Sequence, residues 1–267
     1  MSFVAVETTG AGAEAPLALI HGVGTNRTIW SLSVPGLASS RAVTTVDLPG
    51  FGDSDPPDGT WALGAVADSV GDALESEIGA PFDLIGSSLG GAVALSLAVA
   101  RPDLVRRLIL CAPAGFRPAP GPIPLIASNV VGPVLTMRRL AGLQLAGNAT
   151  ARRALLSGTV ADGSALSPDA ARVMLQASAG ARSLTAAFSA AAAADLRELA
   201  AALERPLGLI WGSLDRLIPA HTAEKVLQIH PETPLEVIAG VGHIPHLERP
   251  DLFVPAVERL FEQMEIP

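Results

Sequence analysis

Short apolar runs rich in β-formers recur along the chain between longer stretches with helical spacing. The runs are Val4–Glu7, Leu17–Ile20, Val43–Asp47, Phe82–Ile85, Leu108–Cys111, Leu207–Trp211 and Leu235–Ile238. Near-continuous apolar strands alternating with amphipathic or alanine-rich helices predict an α/β architecture, a mostly parallel sheet covered by helices on both faces. Helices are expected over Ala62–Leu74 and Gly91–Ala100, and again near Pro250. The alternation breaks between Cys111 and Leu207. There a proline-rich segment precedes helical patterns at Ala146–Leu156, Pro168–Ala179 and Leu196–Leu203, and the alanine tracts Ala186-Ala187 and Ala190 to Ala194 favour helix over linker. Residues 116–190 therefore look like an insertion into a core made of residues 1–115 and 191–267.

Composition removes several classes of function. The formal net charge of −8 and a single lysine, Lys225, leave no basic surface to neutralise a phosphate backbone, so nucleic acid is not an expected partner. Cys111 is the only cysteine and can form neither an internal disulfide nor a cysteine metal cluster; the expectation is a reducing, cytoplasmic setting with no metal and no cofactor. The first 15 residues carry Glu7, Thr8, Thr9 and two glycines where a secretory signal would need an apolar run. Pro118 to Met137 is uncharged, but Pro118, Pro120, Pro122, Pro124 and Pro133 would break a spanning helix, so a loop covering a site is expected instead.

Two strands run directly into glycine-rich turns, Ile20-His21-Gly22-Val23-Gly24 and Ile85-Gly86-Ser87-Ser88-Leu89-Gly90-Gly91. The second fits G-x-S-x-G between a strand and a helix, the context that places a serine on a sharp turn with its hydroxyl exposed. Taking Ser87 instead would require glycine at Ile85 and Leu89, so the spacing selects Ser88 as the nucleophile. A serine hydroxyl needs a base and a carboxylate that orients the base. Among five histidines, His243 lies in a glycine-flexed loop just after the last strand, whereas His246, at the start of the next helix, is expected to pack or cap. His221 and His230 flank a helix, and His21 precedes the other glycine loop. Asp215 follows the strand Leu207–Trp211, and the position after Leu108–Cys111 offers no carboxylate. For the two N–H donors of an oxyanion hole, Leu89 and Val23 are assigned, with Gly24 in reserve.

These residues resemble the α/β-hydrolase superfamily. The matching pieces are His21-Gly22-Val23-Gly24, Asp47-Leu48-Pro49-Gly50-Phe51-Gly52-Asp53-Ser54, the Ser88 turn, the Asp215 loop, and Gly242-His243 followed by Glu248-Arg249-Pro250. The resemblance implies a mostly parallel sheet of about seven or eight strands with a helical cap inserted after the family's sixth strand. Because the chain begins so near Val4, the family's usual first strand is expected to be missing. Departures narrow the chemistry. Relatives that open epoxides or remove halogens use an aspartate nucleophile, and the epoxide hydrolases also use cap tyrosines; this chain has Ser88 and no tyrosine. Hydroxynitrile lyases carry lysine where this chain has Ile244, and proline iminopeptidases carry tryptophan where it has Leu89. Carbon–carbon hydrolases usually have asparagine where it has Ser87.

The expected function is a serine esterase acting through Ser88, His243 and Asp215 on a small ester with an apolar acyl part. Leu89, Phe116, Met137, Leu217 and Ile244 are the candidate pocket residues. Carbon–carbon hydrolysis of a vinylogous diketone, lactonase or perhydrolase activity, and a small-molecule receptor on the same fold are the alternatives. Asp47 and Asp53 are expected to hold a turn beneath the site, and Glu248 to serve a helix start. Trp30, Trp61 and Trp211 are expected in the core.

Overall fold

The computed structural model of the 267-residue chain describes residues 2–116, 142–178 and 181–264. Among these, seven strands form one sheet in the order β1-β3-β2-β4-β5-β6-β7: β1 Val6–Thr9, β2 Leu17–Ile20, β3 Val43–Val46, β4 Phe82–Ser87, β5 Val105–Cys111, β6 Leu207–Gly212 and β7 Leu235–Ile238. Every neighbouring pair is parallel except β1 and β3, which run antiparallel from Val6 opposite Val46 to Thr9 opposite Val43. The first strand lies two residues beyond its expected start. Val4 and Ala5 are buried but precede the ladder, because pairing with β3 rather than side-chain apolarity sets the bounds of this exposed edge strand.

The helices are α1 Val34–Leu37, α2 Leu63–Ile78, α3 Leu89–Ala100, α4 Ala149–Leu155, α5 Pro168–Ala177, α6 Leu184–Ala193, α7 Arg197–Ala201, α8 Ala223–Leu227, α9 Pro245–Glu248 and α10 Pro250–Gln263. The side chains of the central strands alternate between two cores, as the period of two requires. Ala18, Ile20, Leu108 and Leu110 pack with α2 and α3, and Leu17, Leu19, Ile109 and Cys111 pack with Trp30 and with Phe253 and Leu260 of α10. Both faces of β2 and β4 are buried, which is why β2 is apolar throughout and β4 carries Phe82, Leu84 and Ile85.

Helices α4 to α7 all fall between β5 and β6. Asn148 caps α4, and Ser167 caps α5 with Pro168 at its first position, local signals that start both helices. The buried Arg152 donates to the carbonyls of Ala146, Gly163 and Ser164 and so closes the loop after α4. The expected insertion boundary at residue 190 falls inside α6. No helix among the described residues is long and apolar enough to cross a membrane.

The strand order has one consequence for function. Strand β3 lies on one side of β2 and β4 on the other, so the winding reverses between β2 and β4 and a crevice opens at their carboxyl ends. The two glycine turns stand at those ends.

Candidate active site

The turn after β4 holds Ser88 at φ 54°, ψ −117°, a conformation L-residues rarely adopt. Its backbone is held from three sides: the Ser88 N–H donates to the Cys111 carbonyl at 2.9 Å, and the Ser88 carbonyl accepts from the N–H groups of Gly91 and Ala114, each at 3.0 Å. The flanking glycines are required sterically. A Cβ on Gly86 would lie 2.3 Å from the Gly90 carbonyl oxygen, and one on Gly90 would lie 2.4 Å from that of His21.

The loop after β2 lies over the serine, since a Cβ on Gly22 would come within 3.1 Å of the Ser88 Cβ. His21 anchors this loop. Its Nε2 accepts from the Leu48 N–H at 3.0 Å, which leaves Nδ1 to donate to the Gly22 carbonyl at 2.8 Å. Burial pushes its pKa down to about 4, so the ring stays neutral in that role. Asp47 accepts the Arg27 N–H at 2.6 Å and the Asp53 N–H at 2.9 Å and pairs with the Arg27 guanidinium, a structural role beneath the loop. The N–H groups of Val23 and Leu89 have no acceptor among the described residues.

Asp215 and His243 are brought together from the ends of β6 and β7. The carboxylate Oδ2 meets His243 Nδ1 at 2.7 Å, while Oδ1 accepts the N–H groups of Leu217 and Ile218, each at 2.9 Å. Both side chains are nearly inaccessible to solvent. Ser88 and His243 line one cavity of about 410 Å³, with no direct hydrogen bond between Ser88 Oγ and the imidazole.

The cavity is walled largely by apolar groups, including Val23, Ile29, Met174, Leu184, Phe188, Leu217 and Ile244. Leu217 and Ile244 thus lie where the sequence suggested, and two other candidates do not. Phe116 is packed in the core with Leu184 and Leu196 and is absent from the cavity wall, and the Leu89 side chain points into the core although its backbone starts α3. Met137 lies outside the described residues. Ile29, Met174, Leu184 and Phe188 were not singled out from sequence. Helical spacing marks an inner face on α5 and α6, but not which part of it meets open space. A second depression of about 470 Å³, at the amino-terminal ends of β6 and β7, carries none of the candidate residues.

His246 lines the cavity but does not replace His243. It is stacked on Trp30, and burial pushes its pKa down to about 3. Trp61 and Trp211 place their indole N–H groups on the carbonyls of Pro49 and Ile218. Glu248 serves a helix start, but that of α9, in whose first turn it lies and whose preceding residue, Ile244, donates its N–H to Oε1. Asp251 occupies the first turn of α10, and the Glu248 carboxylate turns back to accept the N–H groups of Gly242, Ile244 and Ala161. Burial pushes the Cys111 thiol far up, so it stays protonated, and no cluster of three His, Cys, Asp or Glu among the described residues could hold a metal.

The chain matches the alpha/beta hydrolase family over residues 17–256. It is 34% identical over 250 residues to a pimeloyl-[acyl-carrier protein] methyl ester esterase of Aromatoleum aromaticum, covering 88% of this chain and 93% of that protein. An uncharacterized protein of Mycobacterium tuberculosis is 30% identical over 268 residues, covering 96% of this chain and 77% of the other. Among solved structures, a thermophilic esterase from Thermogutta terrifontis superposes with a TM-score of 0.79 at 26% identity, covering 99% of this chain and 95% of the other. The meta-cleavage product hydrolase of Pseudomonas fluorescens shares the fold at 21% identity, with a TM-score of 0.74 and coverage of 98% and 95%. With the strand order and the turns at the switch point, these matches show that the chain belongs to the alpha/beta hydrolase family.

Proposed function

We propose that this protein is a serine hydrolase that cleaves small carboxylic esters with an apolar acyl part through an acyl-enzyme. The observation that carries this reading is the 2.7 Å contact between Asp215 and His243 on the wall of the cavity that also holds Ser88 on its strained turn. In this mechanism Ser88 Oγ attacks the ester carbonyl carbon and His243 Nε2 takes its proton, while Asp215 holds the imidazole in the tautomer with Nε2 free. The oxyanion accepts the Val23 and Leu89 N–H groups, donors preorganised by the His21 anchor and by the start of α3. Collapse expels the alcohol, which leaves with the proton held by His243. A water deprotonated by His243 then attacks the acyl carbon, and the acid departs as Ser88 regains its proton.

A cavity of about 410 Å³ is at the small end of ligand sites and suits an acyl chain of modest length. Its wall is built in part by α5 and α6, so the segment between β5 and β6 acts as the cap that selects the acyl group. The esterase names of the Aromatoleum and Thermogutta proteins support an ester over other acyl derivatives.

The test is hydrolysis of p-nitrophenyl esters from acetate to laurate by the wild type and Ser88→Ala in parallel. The expected result is turnover that peaks at one chain length and falls by about 10⁴ to 10⁶ in the variant. Trace turnover on every ester, with fast cleavage of a vinylogous diketone, would replace the esterase reading by carbon–carbon hydrolysis.

A further inference from the structure

Glu248 is a carboxylate beside His243 that the proposed reaction does not use. Its Oε2 accepts the N–H of Gly242 at 3.0 Å and that of Ala161 at 2.8 Å, and its Oε1 accepts the N–H of Ile244 at 3.1 Å. Gly242 and Ile244 flank His243 in the chain. Ala161 belongs to the segment between α4 and α5, whose residues Ser157, Gly158 and Thr159 line the cavity. A fourth bond joins the same two pieces, from the His243 N–H to the Thr159 carbonyl at 3.1 Å. Gly242 allows the approach, since a Cβ there would lie 2.5 Å from the Ala161 nitrogen and 2.9 Å from Glu248 Oε1.

We propose that Glu248 is a positioning residue that locks the His243 loop to the cavity wall at residues 157–161, so that the base and the surface bearing on the substrate are held as one unit. The claim rests on the reading of His243 as the base. The chemistry of the clamp calls for a carboxylate. Three N–H donors converge on two oxygens, and the isosteric amide would turn an NH₂ group toward at least one of them, leaving that donor unpaired. A hydrocarbon side chain would orphan all three. Holding the backbone on both sides of His243 fixes the direction of the ring that Asp215 engages, and a displacement of about 1 Å at such a group can cost a factor of about 10² in rate.

The experiment compares wild type, Glu248→Gln and Glu248→Asp by thermal unfolding, by the downfield proton resonance of His243 Nδ1–H in histidine-labelled protein, and by kcat and KM on the best p-nitrophenyl ester. For Glu248→Gln, a folded protein is expected whose downfield resonance is shifted upfield or broadened, with kcat lower by about 10² and KM changed by less than that. Glu248→Asp, with the charge kept and one methylene lost, should lie between. A folded Glu248→Gln with wild-type resonance and wild-type kcat would overturn the proposal. Should Glu248→Gln not fold, the aspartate variant decides alone, and wild-type kcat and resonance there would overturn it equally. The resonance needs no turnover, so it still decides the role of Glu248 if Ser88→Ala shows that the esterase reading is wrong.

Discussion

The imidazole of His246 lies flat on the indole of Trp30, with ring centroids 3.9 Å apart and planes 27° from parallel. Three residues earlier, His243 is bonded end-on to Asp215. Two histidines in one short segment are thus assigned to opposite tasks by what each ring meets, a carboxylate in one case and an aromatic face in the other. His243→Ala should lower kcat on the preferred ester by about 10⁴ or more. His246→Phe, which keeps a flat ring on Trp30, should leave kcat within about tenfold and act mainly on KM. Equal losses of kcat in steady-state assays would refute this division.

Acid sensitivity follows from the same burial. His21 and His246 are held neutral in the fold, with pKa values pushed to about 4 and about 3, and both return toward 6.5 on unfolding. Their contribution to stability is present in full above pH 6.5 and is lost as the pH falls, because the unfolded chain then binds protons that the folded chain refuses. With both sites engaged, near pH 5, the slope approaches about 2.7 kcal/mol per pH unit. Urea unfolding between pH 7.5 and 5 should show it, and His246→Phe should remove about half of the slope. An unchanged slope in that variant would exclude His246 as a source.

Asp215 divides its carboxylate between the base and the backbone of its own loop, Oδ2 to His243 and Oδ1 to Leu217 and Ile218. Asp215→Asn keeps the shape but can satisfy only one side with its oxygen. If that oxygen stays with the loop, the amide faces His243 and favours the wrong tautomer; a loss of about 10² to 10⁴ in kcat with little change in KM is expected. Steady-state kinetics on one ester check it, and a wild-type kcat would remove Asp215 from the mechanism.

The positive φ of Ser88 is a cost borne by the fold. Strain of this kind is worth about 1 to 3 kcal/mol, and glycine relieves it while giving back about 0.5 to 1 kcal/mol in chain entropy. Ser88→Gly should therefore be inactive yet more stable than Ser88→Ala by about 1 kcal/mol in denaturant titrations. A less stable glycine variant would mean that the turn is relaxed for L-residues.

Phe188 and Met174 face the cavity from α6 and α5. Phe188→Ala should shift the optimum in the p-nitrophenyl ester series toward longer chains while the wild-type optimum loses about 10 to 200-fold in kcat/KM. An unchanged chain-length profile would place the acyl group elsewhere in the cavity.

The architecture was legible because its signals are local. Strand β2 coincides with an apolar run seen in the sequence, since burial on both faces leaves a direct mark on residue type. Where the mark is weak the bounds moved: β1 is exposed at three of its four positions, and its start is set by hydrogen bonds to β3. Ser88, Asp215 and His243 stood out for a related reason, since each lies in a turn directly after a strand, and in a parallel sheet those turns share one edge. Phe116 and Glu248 could not be placed that way. An apolar residue at a strand exit can face the cavity or the core, and a glutamate before Arg249-Pro250 can point forward to a helix or backward to a loop.

The sequence by itself determined the βα rhythm, the glycines that permit the Ser88 turn and the order of the three polar residues along the chain, all of which depend on contacts within a few residues. Only the tertiary structure decided that the wall of the cavity is made in part by Ile29, Met174, Leu184 and Phe188, and that Glu248 joins residues 242–244 to Ala161. Those relations bring together segments far apart in the chain. Which of several chemically suitable partners meet depends on how the helices between β5 and β6 pack across the sheet edge, a property of the whole chain that no local pattern encodes.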